Sequence, residues 1–135
     1  MPIFGVDIPF ASFCGIEALD RPDGKTLLRL ELRPEHLNNI GMAHGGVTCT
    51  LLDIAMGSAA RRHVDRPVLT LDMQTSFVAP GRGVLLAEGR VVRAGRSVIF
   101  SEGEVRTETG ELVAKGSGLF KPVQPRMKGE IEAEK

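Results

Sequence analysis

No tryptophan and no tyrosine occur in the 135 residues, and phenylalanine occurs only six times, so there is no aromatic cage to read as a binding site. Charge of one sign is also missing. Seventeen basic and seventeen acidic side chains leave a formal net charge of zero, which removes the basic footprint expected of a nucleic-acid binder and the polybasic segment expected at a membrane surface. Cysteine is scarce. Cys14 and Cys49 do not form a metal-like pair, and Cys49 lies in an apolar stretch where a reduced thiol behaves as a small hydrophobe; a reducing cytoplasm fits this usage. No charged N-terminal region precedes a sustained apolar run, and the central apolar segment is too short and interrupted to span a bilayer. The spacing of His36, His44 and His63 fits no metal motif, and neither a serine nucleophile elbow nor a Gly-x-x-x-x-Gly-Lys phosphate loop is present.

What is present reads as one domain, long enough for a substantial core. Pro9 to Leu19, with Phe10, Phe13 and Ile16, reads as a helical turn against the body, and Arg21-Pro22-Asp23-Gly24 as a turn. From Leu28 the chain alternates, Leu28, Leu30 and Leu32 against Arg29, Glu31 and Arg33, the period-2 signature of a half-buried strand that Pro34 ends. A loop from Glu35 to Ala43 leads to His44-Gly45-Gly46, where a helix is predicted to run from about Gly45 to about Arg62, about 18 residues and about 27 Å. Four strand-like runs follow, Val68 to Val78, Val84 to Arg93, Ser97 to Arg106 and Glu111 to Phe120. Their short glycine-containing separators suit hairpins, so a mostly antiparallel sheet is expected. A domain over residues 1–121 is followed by a polar tail, 122–135, expected to be frayed or disordered.

The most informative residue is Asp53, a single carboxylate within the otherwise apolar stretch Val47 to Ala60. A helix hydrophobic nearly all round is a buried helix, and an unpartnered ionised carboxylate inside it costs several kcal/mol. Asp53 is therefore either a structural residue bonded to neighbouring backbone or a base or nucleophile. A helix apolar on every side also needs cover on every side. A curved sheet wrapped around one long helix, an α+β arrangement, supplies part of that cover, and the remainder argues for a second subunit.

Pro9-Phe10, Gly15-Ile16, Glu35-His36-Leu37-Asn38, Gly41, His44-Gly45-Gly46, Asp53, Pro80-Gly81, Gly95-Arg96-Ser97 and Gly110-Glu111-Leu112-Val113-Ala114 together resemble the hotdog-fold acyl-CoA thioesterases of the phenylacetic acid degradation type. The resemblance covers about residues 9 to 120, and its specific part is the spacing from Asn38 through His-Gly-Gly to an acid eight positions after the first glycine. It implies hydrolysis of an acyl-CoA to free acid and coenzyme A, with no metal or bound redox cofactor, in a cytoplasmic homodimer or a dimer of dimers.

By the same resemblance, the Gly45 N–H polarises the thioester carbonyl, a role that suits the unsatisfied donors and dipole of a helix N-terminus. Asn38 holds the thioester or the attacking water, although Asn38-Asn39 also reads as a generic turn pair. Asp53 activates water or attacks directly. Thr70 matches a hydroxyl that orients water; by simple alternation, however, it shares a strand face with Asp72, Gln74 and Ser76, which reads as solvent-facing. His44 is expected to fix the loop before the helix, and His44, Gly46, Arg93, Arg96 and Ser97 fall on the substrate-binding side, the two arginines toward the coenzyme's pantetheine or nucleotide end. A hotdog hydratase or dehydratase and a non-catalytic acyl-CoA binder are the alternative classes. Both an aryl or arylacetyl group and a medium-chain acyl group stay open.

Helix geometry adds a constraint. Gly45 and Asp53 are eight residues apart, about 12 Å along a helix axis, whereas an oxyanion donor and an attacking water must both lie within about 3 Å of one reacting group. Two antiparallel helices across a two-fold axis solve this, with Asn38 and Gly45 from one chain and Asp53 and Thr70 from the other. Gly46, Thr50, Gly57 and Ala60 are read as the small face beside Asp53, and Val47, Leu51, Ile54 and Ala55 as the sheet-facing side.

Overall fold

Three glycines on adjacent strands let the sheet close on its helix. The computed structural model describes residues 1–124, and in it the element order is α1 (Pro9–Cys14), β1 (Glu17–Leu19), β2 (Thr26–Glu31), α2 (Gly45–Val64), β3 (Val68–Phe77), β4 (Val84–Ala94), β5 (Ile99–Thr107) and β6 (Leu112–Pro122). Every pairing is antiparallel, and the six strands lie in the order β1-β2-β4-β5-β6-β3. Gly89, Gly103 and Gly116 fall in one register row across β4, β5 and β6. A side chain at Gly89 would run into the Ala55 backbone, and one at Gly103 would lie 3.1 Å from Met56 Cγ. The missing side chains form a furrow in which Leu52, Ala55 and Met56 of α2 sit on the sheet. This is the α+β arrangement of a curved sheet around one long helix that the hotdog resemblance implies.

The core follows from this contact. Leu51, Leu52, Ala55 and Met56 are fully buried with Leu28, Leu85, Ile99, Val105 and Phe120. At about 25 cal/mol per Å² of apolar surface, each large side chain removed from water stabilises the fold by about 1.5–3 kcal/mol. Of the four residues assigned to the sheet side, Leu51, Ile54 and Ala55 are buried, whereas Val47 is half-buried and lines a surface cavity with Phe10 and Phe13. Ala60 is also fully buried, so it does not belong to the small face. The open stripe instead passes from Gly46, Thr50, Asp53 and Gly57 to Arg61, because 3.6 residues per turn carries the stripe past position 60.

Two short elements escaped the sequence pattern: β1, three residues long, and a 3-10 turn at Pro34–His36. The C-terminal boundary at 121 falls inside β6, which ends at Pro122; the Val123 N–H then donates to the Pro67 carbonyl. From residue 125 the expected frayed tail lies outside the described residues. Among the described residues no helix is long and apolar enough to cross a membrane, and both cysteines are free thiols.

Candidate active site

The start of α2 has its N–H groups in distinct states. His44 occupies the N-cap with extended backbone, and its Nδ1 accepts from the Gly46 N–H at 2.8 Å. The Val47 and Thr48 N–H groups donate to the His44 carbonyl. Of the first four helical donors, only the Gly45 N–H has no partner among the described residues. An unpaired N–H at the positive end of a 20-residue helix is a ready donor for an oxygen that gains negative charge.

Asn38 stands beside it. Its Oδ1 accepts from the Ile40 and Met42 N–H groups, both at 3.0 Å, which is the turn role its sequence context foresees. With the oxygen so used, the Nδ2 donors have no partner among the described residues, and Asn38 and Gly45 line one cavity of about 380 Å³ with Phe77 and Pro80.

Asp53 projects from the middle of α2, half-buried in the single chain. The Thr70 hydroxyl donates to its Oδ1 at 2.7 Å, a charge-assisted contact of the strong class. Alternation placed Thr70 on the polar face with Asp72, Gln74 and Ser76, and the structure corrects this. A bulge between Thr70 and Asp72 inserts one residue and switches parity, so that Thr70 faces the helix together with Thr75, whose hydroxyl accepts from Cys49 Sγ at 3.8 Å. Asp53 and Thr70 line a second cavity, about 260 Å³, with Val6, Ile8, Gly57 and Phe120.

The four candidate residues thus form two pairs in two cavities, and one chain does not bring them together. Strand β3 runs antiparallel to α2 along both: Thr70 meets Asp53 at one end, and at the other a Cβ on Gly45 would lie 3.4 Å from the Phe77 ring. This strand is a sheet edge, and Leu69, Leu71, Phe77 and Val78 on and just after it are more than half exposed. A long apolar edge is a template for pairing with another chain.

The remaining residues assigned to substrate lie apart. His44 and Gly46 border a third cavity, about 800 Å³, with Phe10, Phe13 and Thr50. Arg93, Arg96 and Ser97 sit exposed at and beside the β4–β5 turn and line none of these cavities. On the same hairpin, Arg90 and Arg106 take up Glu102 and Glu104, whereas Arg93 and Arg96 have no carboxylate within 4 Å among the described residues. Sequence reasoning missed the N-terminal wall of the Asp53 cavity, Val6 and Ile8, and missed Arg61 at its end. Only the Phe4-Gly5 turn could have signalled that this segment folds back.

Comparison with known proteins follows the same lines. A family profile described as Thioesterase superfamily matches residues 40–114, the span that holds Gly45, Asp53 and Thr70. A Halobacterium salinarum protein provisionally named an esterase is 37% identical, covering 82% of each chain. Acyl-coenzyme A thioesterase 13 of Homo sapiens is 29% identical over 69% of each. Among solved structures, the BH2602 protein from Bacillus halodurans, determined with CoA, superposes with a TM-score of 0.83 at 37% identity, covering 89% of this chain and 82% of that one.

Proposed function

The chain belongs to the thioesterase superfamily, and from that premise we propose that this thioester hydrolase acts on acyl-CoA, releasing a free acid and coenzyme A at a site built by two subunits. The observation that carries this reading is the Gly45 N–H beside the Asn38 amide donors, both without a partner among the described residues. The Asn38, His44-Gly45-Gly46 and Asp53 pattern supports the phenylacetic acid degradation type, and the relatives named for acyl-CoA hydrolysis support the substrate class.

The thioester carbonyl accepts from the Gly45 N–H and the Asn38 amide of one subunit. Asp53 of the other, with Oδ1 held by Thr70, keeps Oδ2 for a water. That water adds to the carbonyl carbon as its proton passes to Asp53. The oxyanion of the tetrahedral intermediate stays on the two donors, which strengthens a contact where charge develops and so lowers the barrier. Collapse breaks the C–S bond, and Asp53 returns the proton to the departing thiolate sulfur, leaving acid and free thiol. No metal or redox group enters this route.

Pairing of two chains along β3 is what joins the halves: it sets the Asp53 cavity of one against the Gly45 cavity of the other and covers the apolar edge. Homodimers, associating further in pairs, are the assembly this reading calls for. Arg93 and Arg96, cationic and without ion pairs among the described residues, are proposed for the phosphates of the coenzyme, with Ser97 beside them. Two free thiols support a cytoplasmic setting.

Thiol release from acyl-CoA tests the proposal. Asp53→Asn keeps the side chain's shape and removes its charge, so kcat should fall by about 10²-fold or more with an unchanged circular dichroism spectrum. Wild-type protein that releases no thiol, or a variant that turns over normally, overturns it.

A further inference from the structure

Resting on that thioesterase reading, we propose that Arg61 recognises a carboxylate at the far end of the acyl group, so that the preferred substrates are CoA thioesters of short dicarboxylic acids, hydrolysed at one carboxyl while the other is held as a free anion.

The Asp53 cavity is charged at its two ends and nowhere else. Among its lining residues only Asp53 and Arg61 are ionisable, and they stand eight positions apart, about 12 Å along α2. Between them the walls are mainly apolar, with Val6, Ile8, Val68 and Phe120, and Gly57, midway, presents no side chain to divide the space. The Asp53 end repels a second carboxylate and the Arg61 end attracts it. An acyl group with one distal anion therefore fits in a single direction, thioester toward Asp53 and anion toward Arg61.

Arg61 has the features of a receptor for that anion. It is half-buried, and no carboxylate lies within 4 Å of it among the described residues. Its Nη2 donates to the Ile3 carbonyl at 2.8 Å and to the Phe4 carbonyl at 3.3 Å, which leaves the Nε and Nη1 donors of the guanidinium fork without a partner among the described residues. The two carbonyls hold the head in place, because they belong to a tight turn in which Ile3 and Val6 exchange backbone hydrogen bonds and Ile3 is fully buried. A guanidinium fixed before its ligand arrives loses little freedom on binding. The neighbouring Arg62 makes the contrast: its Nη1 donates to the Thr26 hydroxyl at 2.9 Å, its guanidinium stacks 4.2 Å from the Phe4 ring centroid, and it does not line this cavity.

The occupant decides the energetics. Burial, and after it the nearby charge of Arg62, push the Arg61 pKa below its ordinary value, with Asp65 opposing them; the guanidinium still stays protonated, so a partly desolvated cation borders the cavity. A plain alkyl chain expels the water that solvates this cation and supplies no replacement, which weakens binding. A terminal carboxylate replaces that water with a charge-assisted hydrogen bond, stronger for being away from bulk solvent. Space sets the length. A cavity of about 150 Å³ holds benzene, and at about 260 Å³ this one takes a diacid chain of about six carbons, whereas a shorter diacid reaches less far from Asp53 toward Arg61.

The test is kcat/KM for hexanoyl-, phenylacetyl-, succinyl- and adipyl-CoA by thiol release, with spontaneous release subtracted. Adipyl- and hexanoyl-CoA have the same carbon count and differ in the terminal group. Wild type should favour adipyl over hexanoyl by about tenfold or more, the scale of a hydrogen bond to a charged group, and succinyl should fall below adipyl. Arg61→Gln, whose amide can still donate to the Ile3 carbonyl, should erase the preference through a raised KM for adipyl-CoA, while Arg61→Lys, which keeps the charge, should retain part of it. A purely structural Arg61 would lower both substrates equally and leave their ratio unchanged. Wild type that hydrolyses hexanoyl- or phenylacetyl-CoA as well as adipyl-CoA, or a folded Arg61→Gln variant with the wild-type ratio, overturns the carboxylate recognition while leaving the thioesterase reading standing; the wild-type comparison decides by itself if the variant does not fold. Absence of thiol release from every member of the panel overturns the thioesterase reading itself.

Discussion

Thr70→Ala removes the hydroxyl that donates to Asp53 Oδ1 at 2.7 Å and little else, because Thr70 is exposed in the single chain and supports no core packing. A hydrogen bond to a charged group contributes about 1.5–3 kcal/mol, and exposure argues for the lower end of that range. If the bond aims the carboxylate at the attacking water, its loss falls on the transition state, and about 1.4 kcal/mol corresponds to about tenfold in rate. We therefore expect kcat to fall about tenfold with KM nearly unchanged, since Thr70 acts through Asp53 and not on the substrate. Thr70→Ser should restore most of the loss, and Thr70→Val, which keeps the shape without the donor, should not. Steady-state kinetics with a thiol-detecting reagent reads all three. A Thr70→Ala enzyme within twofold of wild type in kcat, or a valine variant as active as the serine one, refutes the positioning role.

Leu51 has no exposed surface, so Leu51→Asp buries an uncompensated charge against the sheet; several kcal/mol of lost stability should leave no cooperative thermal transition. Burial pushes the Cys14 thiol upward despite the opposing influence of Arg33, so the folded state holds that proton more tightly than the unfolded chain. The resulting stability is complete below the ordinary thiol range and is lost as pH rises through the raised folded value; wild type should therefore lose more melting temperature at alkaline pH than Cys14→Ala. Single turnover in ¹⁸O-labelled water should place the label in the released acid and none in the Asp53 carboxylate, as mass spectrometry of the digested enzyme can show; label on Asp53 would mean that it attacks directly.

The long elements were legible because their patterns were long. Alternation from Leu28, the apolar run around Asp53 and the glycine-punctuated hairpins gave α2 and the five longer strands with boundaries off by only a few residues, since each is specified by a periodic face that must be buried. What periodicity cannot show is a change of phase. The bulge at Thr70/Asp72 leaves no mark in the residue types, yet it takes Thr70 off the face of Asp72 and Gln74 and brings its hydroxyl to Asp53. The Gly89, Gly103 and Gly116 row was equally hidden, because three glycines far apart in sequence become neighbours only through sheet register. β1 is three residues long, too short to alternate. The wall formed by Val6 and Ile8 depends on Arg61 reaching back across more than fifty residues to two backbone carbonyls, a contact with no local signature.

The central claim is that Gly45 of one subunit works with Asp53 of its neighbour, and subunit complementation measures it most directly. Gly45→Pro deletes the donor N–H at a position suited to proline. It is the first residue of α2, where proline's fixed φ is pre-organised for the helix, and the preceding His44 already has the extended backbone that proline demands, φ −64° and ψ 141°. Each parent homodimer, Gly45→Pro or Asp53→Asn, should be inactive. A heterodimer of the two, verified by native mass spectrometry, carries both lesions in one site and neither in the other. Recovery of about half the wild-type activity per heterodimer is the expected result, as two-fold symmetry requires. A verified heterodimer as inactive as its parents, or full activity in an isolated monomer, would contradict the account.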